Sequence, residues 1–234
     1  VPRLVAPYDA KREVVDISFA AVCCHVDAHM CNTMAALDMA LLTPAYALLD
    51  LLCQQYLHMM VCALNETEVL AWHHKLLYAW CARQPPPPPS GHAIVSTDVH
   101  AAHQGLWAEV QLAERCGPLL ARALSGAVAY HELLFPGGSM HAVLPIYEDA
   151  PIGVFYNGCL VAAIQALLPL MSVERQVVAI EIGAGTGGTA SSVLPIFERV
   201  GARYVFTDVS SVFLRQARDR FDAFRCVEYA LLNI

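Results

Sequence analysis

Ile180-Glu181-Ile182-Gly183-Ala184-Gly185-Thr186-Gly187-Gly188-Thr189 is the stretch on which the fold turns. It follows the apolar run Val177-Val178-Ala179-Ile180, so its glycines fall where a buried strand passes into a helix. A side chain at such a turn would block an approaching ligand, whereas glycine has no Cβ and tolerates positive φ. The helix behind the loop directs free N–H groups and a partial positive charge toward whatever sits there. The stretch predicts a strand, loop and helix built around a nucleotide-like ligand.

Two spacings compete for that loop. Gly183, Gly185 and Gly188 satisfy the dinucleotide pattern G-x-G-x-x-G, and Glu181, Gly183, Gly185 and Gly187 satisfy the E-x-G-x-G-x-G pattern of S-adenosyl-L-methionine binding, with Ala184 and Thr186 between them. The acid decides. A carboxylate at the strand end repels a pyrophosphate, while the methyl donor carries no phosphate and presents a sulfonium and an ammonium. Charge favours S-adenosylmethionine; a dinucleotide, or a glycine turn with no ligand, stays open on the glycines alone.

Outward from the loop, Val193, Leu194, Phe197 and Val200 recur at helical spacing and predict a helix over 191–200, with Pro195 expected to bend it or mark a late start. A short strand over 204–207 closes on Asp208. Ser210 is placed to cap a helix carrying Val212, Phe213, Leu214, Ala217 and Phe221, and a third strand over 226–232 runs into Asn233. The strand–helix alternation predicts an α/β fold with a parallel, Rossmann-like sheet and right-handed crossovers. Ligands of such sheets lie beyond the carboxyl ends of the strands, which makes Asp208, with Val209 beside it, the candidate for ribose hydroxyls and Asn233 the candidate for the adenine edge.

Before the sheet the pattern is helical. Leu37, Leu41, Leu42, Ala45, Leu48, Leu49, Leu52 and Tyr56 recur at i, i+3, i+4 steps, Pro44 is expected to bend or divide that helix, and a further helix is read over 64–80 behind the turn at Asn65 to Glu68. Residues 84–91 form a proline-rich linker. Helices over 98–111 and 112–123, broken at Gly117-Pro118, follow, and Tyr156-Asn157 reads as a capped turn before a helix over 159–168. The organisation expected is a helical region over 1–150 and, over 151–234, the first half of a Rossmann-like core, β-α-β-α-β.

The segments Glu132-Leu133-Leu134-Phe135-Pro136-Gly137-Gly138-Ser139-Met140, Pro145-Ile146-Tyr147, Tyr156-Asn157, Val193-Leu194-Pro195 and Tyr204-Val205-Phe206-Thr207-Asp208-Val209-Ser210, taken with the glycine loop, resemble the C-methyltransferase domain of polyketide synthases. The match is dense from about residue 125 onward. It implies methyl transfer from S-adenosylmethionine to the α-carbon of a β-ketoacyl thioester, held by the phosphopantetheine arm of an acyl carrier protein among neighbouring synthase domains. It also implies that Tyr156 and Asn157 lie near cofactor and substrate, and that the base is a histidine after a fourth strand, beyond Ile234. No catalytic residue is therefore assigned here. Asn233 departs from the family's usual aspartate. A small-molecule O- or N-methyltransferase and a non-catalytic domain within a synthase are the alternatives.

Composition fits a partly covered domain. Of 234 residues 57% are apolar and 15% charged, well below the roughly 25% charged of ordinary soluble proteins, so some surface is expected to lie against neighbours. A net charge of −7 argues against nucleic acid. Lys11, Arg12, Glu13 and Asp16 interrupt any signal-peptide pattern, and nine irregularly spaced cysteines read as reduced thiols of a cytoplasmic protein. Cys23, Cys24, His25, His29 and Cys31 lack a second ligand pair and read as a helical core face, with no metal assigned. The uncharged run 152–173 contains Gly153, Asn157, Gly158, Gln165 and Pro169 and is expected to be a buried helix packed on the sheet instead of a membrane span.

Overall fold

The computed structural model describes residues 19–86, 93–171 and 176–234. Positions 87–91 of the proline-rich linker and the charged residues 11–16 lie outside them. Helices come first: α1 (Phe19–Ala36), α2 (Met39–Ala63), α3 (Trp72–Cys81), α4 (Ser96–Ala102), α5 (Trp107–Cys116), α6 (Leu120–Leu124), α7 (Tyr130–Leu134), α8 (Leu144–Glu148) and α9 (Pro151–Leu167). Then β1 (Val178–Ile182), α10 (Gly188–Arg199), β2 (Arg203–Asp208), α11 (Ser211–Arg220) and β3 (Val227–Leu231) alternate.

The expected parallel sheet is present, in the order β1-β2-β3, with Glu181 opposite Phe206 and Phe206 opposite Tyr229. One face is packed. Ala190, Val193, Leu194 and Phe197 of α10 and Leu214 and Ala217 of α11 close on Tyr204 and Phe206. Val178, Ile180 and Ile182 point the other way and stay more than half exposed, although parallel sheets are ordinarily covered on both faces.

In the helical region, Leu42, Ala45, Leu49 and Leu52 of α2, spaced three and four apart, form one core with Val99 of α4 and Val110 of α5. Several boundaries differ from the sequence expectation. The break before α2 lies at Leu37 and Asp38, where the Asp38 carboxylate accepts from Leu41 N at 3.3 Å, and α2 runs straight through Pro44. Pro44, sixth in the helix, leaves the Ala40 carbonyl without its N–H, and the helix continues past it. The helix read over 64–80 begins only at Trp72, because Asn65 N donates to Glu68 Oε2 at 2.6 Å and closes a separate short turn. The pair read over 98–111 and 112–123 divides instead at Gln104 to Leu106, where His103 Nδ1 accepts from Gly105 N at 3.0 Å; the break at Gly117 is as expected.

Two differences touch the site. α10 starts at Gly188 and holds Pro195 in its interior, so the proline marks no late start. Tyr156 and Asn157 lie inside α9, which begins at Pro151, a residue whose fixed φ and missing N–H suit a first helical position. α9 packs on α1, α8 and α10. It is nevertheless not the buried helix expected: Pro151–Leu170 has a mean hydropathy of 1.6, is long and apolar enough to cross a membrane, and only 11% of it is buried. Ile152, Val154 and Tyr156 are its most exposed apolar residues, and Leu160, Ile164 and Leu167 line an open groove beside β1.

Candidate functional site

β1 delivers Glu181 to the foot of the glycine loop, and the loop passes over the end of β2, where Ala184 N donates to the Thr207 carbonyl at 2.9 Å. Glu181, Gly183, Ala184, Gly185, Thr186, Gly188 and Thr189 form one wall of a cavity of about 460 Å³, within the ordinary range of ligand sites, roughly 300–1,000 Å³. The opposite wall comes from the helices: Leu112 of α5, Leu134 and Phe135 at the end of α7, Ile146 and Tyr147 of α8, and Phe213 of α11. The Phe135 and Phe213 rings meet edge to face at 5.5 Å.

The glycines divide by purpose. A Cβ on Gly183 would meet nothing within 4 Å and one on Gly185 would meet only Gly183 O at 3.9 Å, so these two keep the cavity floor open. Gly187 has φ 77° and its Cβ would strike Phe221 at 2.8 Å, while a Cβ on Gly188 would strike Tyr147 at 2.7 Å. Those two are required by packing.

Glu181 lines the cavity and its Oε2 accepts from the Tyr204 hydroxyl at 2.6 Å. Burial pushes the Glu181 carboxyl above the usual carboxylate range, and the Tyr204 bond opposes that shift. Burial, then the neighbouring carboxylate, holds Tyr204 firmly protonated.

Asp208 is 5% exposed. Its Oδ2 accepts from Gly185 N at 2.8 Å and its Oδ1 from Ser210 N at 2.7 Å, so it fixes the loop and the start of α11 and does not itself line the cavity. Ser210 caps α11 through Phe213 N. Val209 is 65% exposed, and Asn233 is exposed past the end of β3. Asn157 bridges two cavity residues: its Nδ2 donates to the Tyr147 carbonyl at 2.8 Å and its Oδ1 accepts from Thr189 Oγ1 at 3.4 Å. Tyr156 points away on α9, beside Met34 and Phe155. The structure thus brings together Glu181, Gly183, Ala184, Gly185 and Thr186, supports them with Asp208, Gly187 and Asn157, and leaves Tyr156, Val209 and Asn233 outside the cavity. Reading the residues one by one did not assign the apolar wall to the site, above all Leu112, Phe135, Ile146 and Phe213; Phe135 and Ile146 stand in segments that carry the resemblance, but their own apolar chemistry marks no ligand.

His29 Nε2 is paired with Thr33 Oγ1 at 3.1 Å. Among the described residues no group of His, Cys, Asp or Glu is arranged to hold a metal.

The class that these elements define is a Rossmann-like α/β fold behind a helical region, and solved carbon methyltransferases share it. The chain superposes on the CurJ carbon methyltransferase with a TM-score of 0.77 at 19% identity, covering 91% of this chain and 65% of that one. It superposes on the citrinin polyketide synthase CMeT domain with a TM-score of 0.71 at 20% identity, covering 92% and 65%. A trans-methyltransferase, CalH, in complex with SAH gives a TM-score of 0.59 at 20% identity over 84% of this chain and 58% of that one. In sequence the chain is 38% identical over 133 residues to the non-reducing polyketide synthase esdpA of Penicillium shearii, which is 54% of this chain and 6% of that protein. No family model matches. The chain therefore spans just under two thirds of the CurJ and citrinin domains and a small part of the synthase.

Proposed function

We propose that this chain forms the cofactor-binding half of an S-adenosylmethionine-dependent carbon methyltransferase within a polyketide synthase, and that the acceptor is the α-carbon of a β-ketoacyl thioester on an acyl carrier protein. The observation that carries this is the cavity itself: a glycine floor left open at 183 and 185 beside a buried carboxylate, Glu181, and an aromatic wall. A carboxylate there suits a cationic ligand and opposes a pyrophosphate. The relative named as a polyketide synthase and the neighbours named as carbon methyltransferases support the acceptor class. The division into a lid over 1–150 and a core over 151–234, the neighbouring synthase domains and a cytoplasmic setting without membrane or nucleic acid belong to the same proposal.

S-adenosylmethionine supplies an electrophilic methyl group when bound. Gly183, Gly185 and Thr186 would hold it against the loop, with Glu181 facing its positive end and Phe135 and Phe213 enclosing its apolar part. A carbon between two carbonyls is acidic enough for a side-chain base, so the protein's part is to orient, exclude water and remove a proton. Among the described residues that line the cavity the ionisable groups are Tyr147 and Glu181, and no base is assigned. Incubation of the intact synthase domain with methyl-labelled S-adenosylmethionine and a carrier-bound β-ketoacyl thioester tests this: label on the α-carbon is expected. Label on oxygen or nitrogen would replace the acceptor, and binding without transfer would make the domain non-catalytic.

A further inference from the structure

Arg220, the last residue of α11, spans two elements that the glycine motif does not connect. Its Nη1 donates to the Thr186 carbonyl at 3.1 Å and its Nη2 to Glu148 Oε1 at 2.5 Å. Both side chains of the ion pair are largely withdrawn from water, at 25% and 20% exposure. The guanidinium also lies over the Phe221 ring at 4.9 Å, and Phe221 is the residue against which Gly187 packs.

Glu148 ends α8, whose Ile146 and Tyr147 roof the cavity. Other ties of that roof include the Asn157 bond to the Tyr147 carbonyl and the contact of Tyr147 with bare Gly188. Both bind the roof to α9 and α10. Arg220 joins it to Thr186, inside the loop. A planar guanidinium presents donors on a rigid fork and reaches a carbonyl and a carboxylate at once; an ammonium does not hold that geometry.

We infer that Arg220 is a positioning residue that locks the roof of the cavity to the glycine loop, and that Glu148 neutralises its charge beside a ligand that is itself cationic. The first part stands on the contacts alone; the second rests on the S-adenosylmethionine reading. An unpaired guanidinium next to Thr186, in a partly dry site, would repel a sulfonium and leave a neutral thioether indifferent.

The test uses Arg220→Lys, Glu148→Gln and the double variant Glu148→Gln/Arg220→Gln in the full chain. Without ligand, hydrogen exchange of amides 144–150 and 184–188 reads the tie. Arg220→Lys is expected to raise exchange about tenfold in both segments together, as local opening loses a shared charge-assisted contact. Glu148→Gln should raise it in 144–150 alone, since the bond to Thr186 survives. Change in neither segment, or only in the roof for Arg220→Lys, overturns the lock. With ligand, the ratio of affinities for S-adenosylmethionine and S-adenosylhomocysteine reads the charge. Glu148→Gln should lower that ratio about tenfold, on the scale of one unscreened charge several ångströms away, and the double variant should restore it. An unchanged ratio overturns the masking role. If the unaltered protein binds neither ligand, the functional reading fails, while the exchange data still decide the lock.

Discussion

The Tyr204 hydroxyl donates to Glu181 Oε2 at 2.6 Å, so the carboxylate in the cavity wall is anchored by a side chain of the neighbouring strand. Tyr204 is 3% exposed and cannot turn toward water. The bond steadies the ionised form against the burial that disfavours it.

A pH dependence follows. Burial raises the folded Glu181 pKa above its ordinary value, so between the two the folded state holds a proton that the unfolded chain has lost. Stability therefore falls as pH rises through that window, and Glu181→Gln removes the slope. Over the same window ionisation should strengthen S-adenosylmethionine binding, with a weaker trend for S-adenosylhomocysteine, which lacks the sulfonium. Denaturant unfolding and calorimetry across the acid range check both; parallel trends for the two ligands would deny Glu181 its charge role.

Asp208→Ala should weaken cofactor binding by about 1–3 kcal/mol, the range for hydrogen bonds to a charged group. The effect would arise through the loop, since Gly185 N and Ser210 N lose their acceptor. Titration of the variant measures it, and an unchanged dissociation constant would remove Asp208 from the site.

Gly187→Ala and Gly183→Ala should separate folding from binding. The first drives a methyl into Phe221 and adds strain at φ 77°, and should lower stability by about 1–3 kcal/mol, the scale of overpacking; Phe221→Leu in addition should recover the part due to the clash. The second adds strain at φ 71° but fills open cavity floor, so it should reduce affinity more than its effect on melting temperature explains. Equal losses of stability and affinity in both would contradict the division.

Val178, Ile180 and Ile182 expose an apolar sheet face beside the open edge of β1. The 234-residue chain on its own should self-associate, and Ile180→Lys should reduce that association, because a charge at such a position blunts edge pairing. Sedimentation velocity decides; a monodisperse monomer of the unaltered chain would contradict it.

Much of the core was legible. Apolar β-branched strands, the Ser210 cap and the glycine spacing each specify local geometry that the sheet then confirms, and β1, β2 and β3 lie within a residue or two of their expected bounds. What escaped depends on contacts distant in sequence. Asn157 read as a turn residue because its local chemistry favours one, but its partners, Tyr147 and Thr189, come from α8 and α10. Asp208 read as a ligand acceptor, yet the loop folds back and places Gly185 N on it. The cavity's apolar wall is drawn from α5, the end of α7, α8 and α11, which no periodicity connects. Pro195 and Pro44 show the reverse error, a local rule overridden by helices that tertiary packing holds together.

Calorimetric titration of the intact domain with S-adenosylmethionine and, separately, NADPH tests most directly whether Glu181 and the open glycines select a sulfonium over a pyrophosphate. Saturable binding of S-adenosylmethionine with none for NADPH is the predicted result. Tighter binding of NADPH would contradict it.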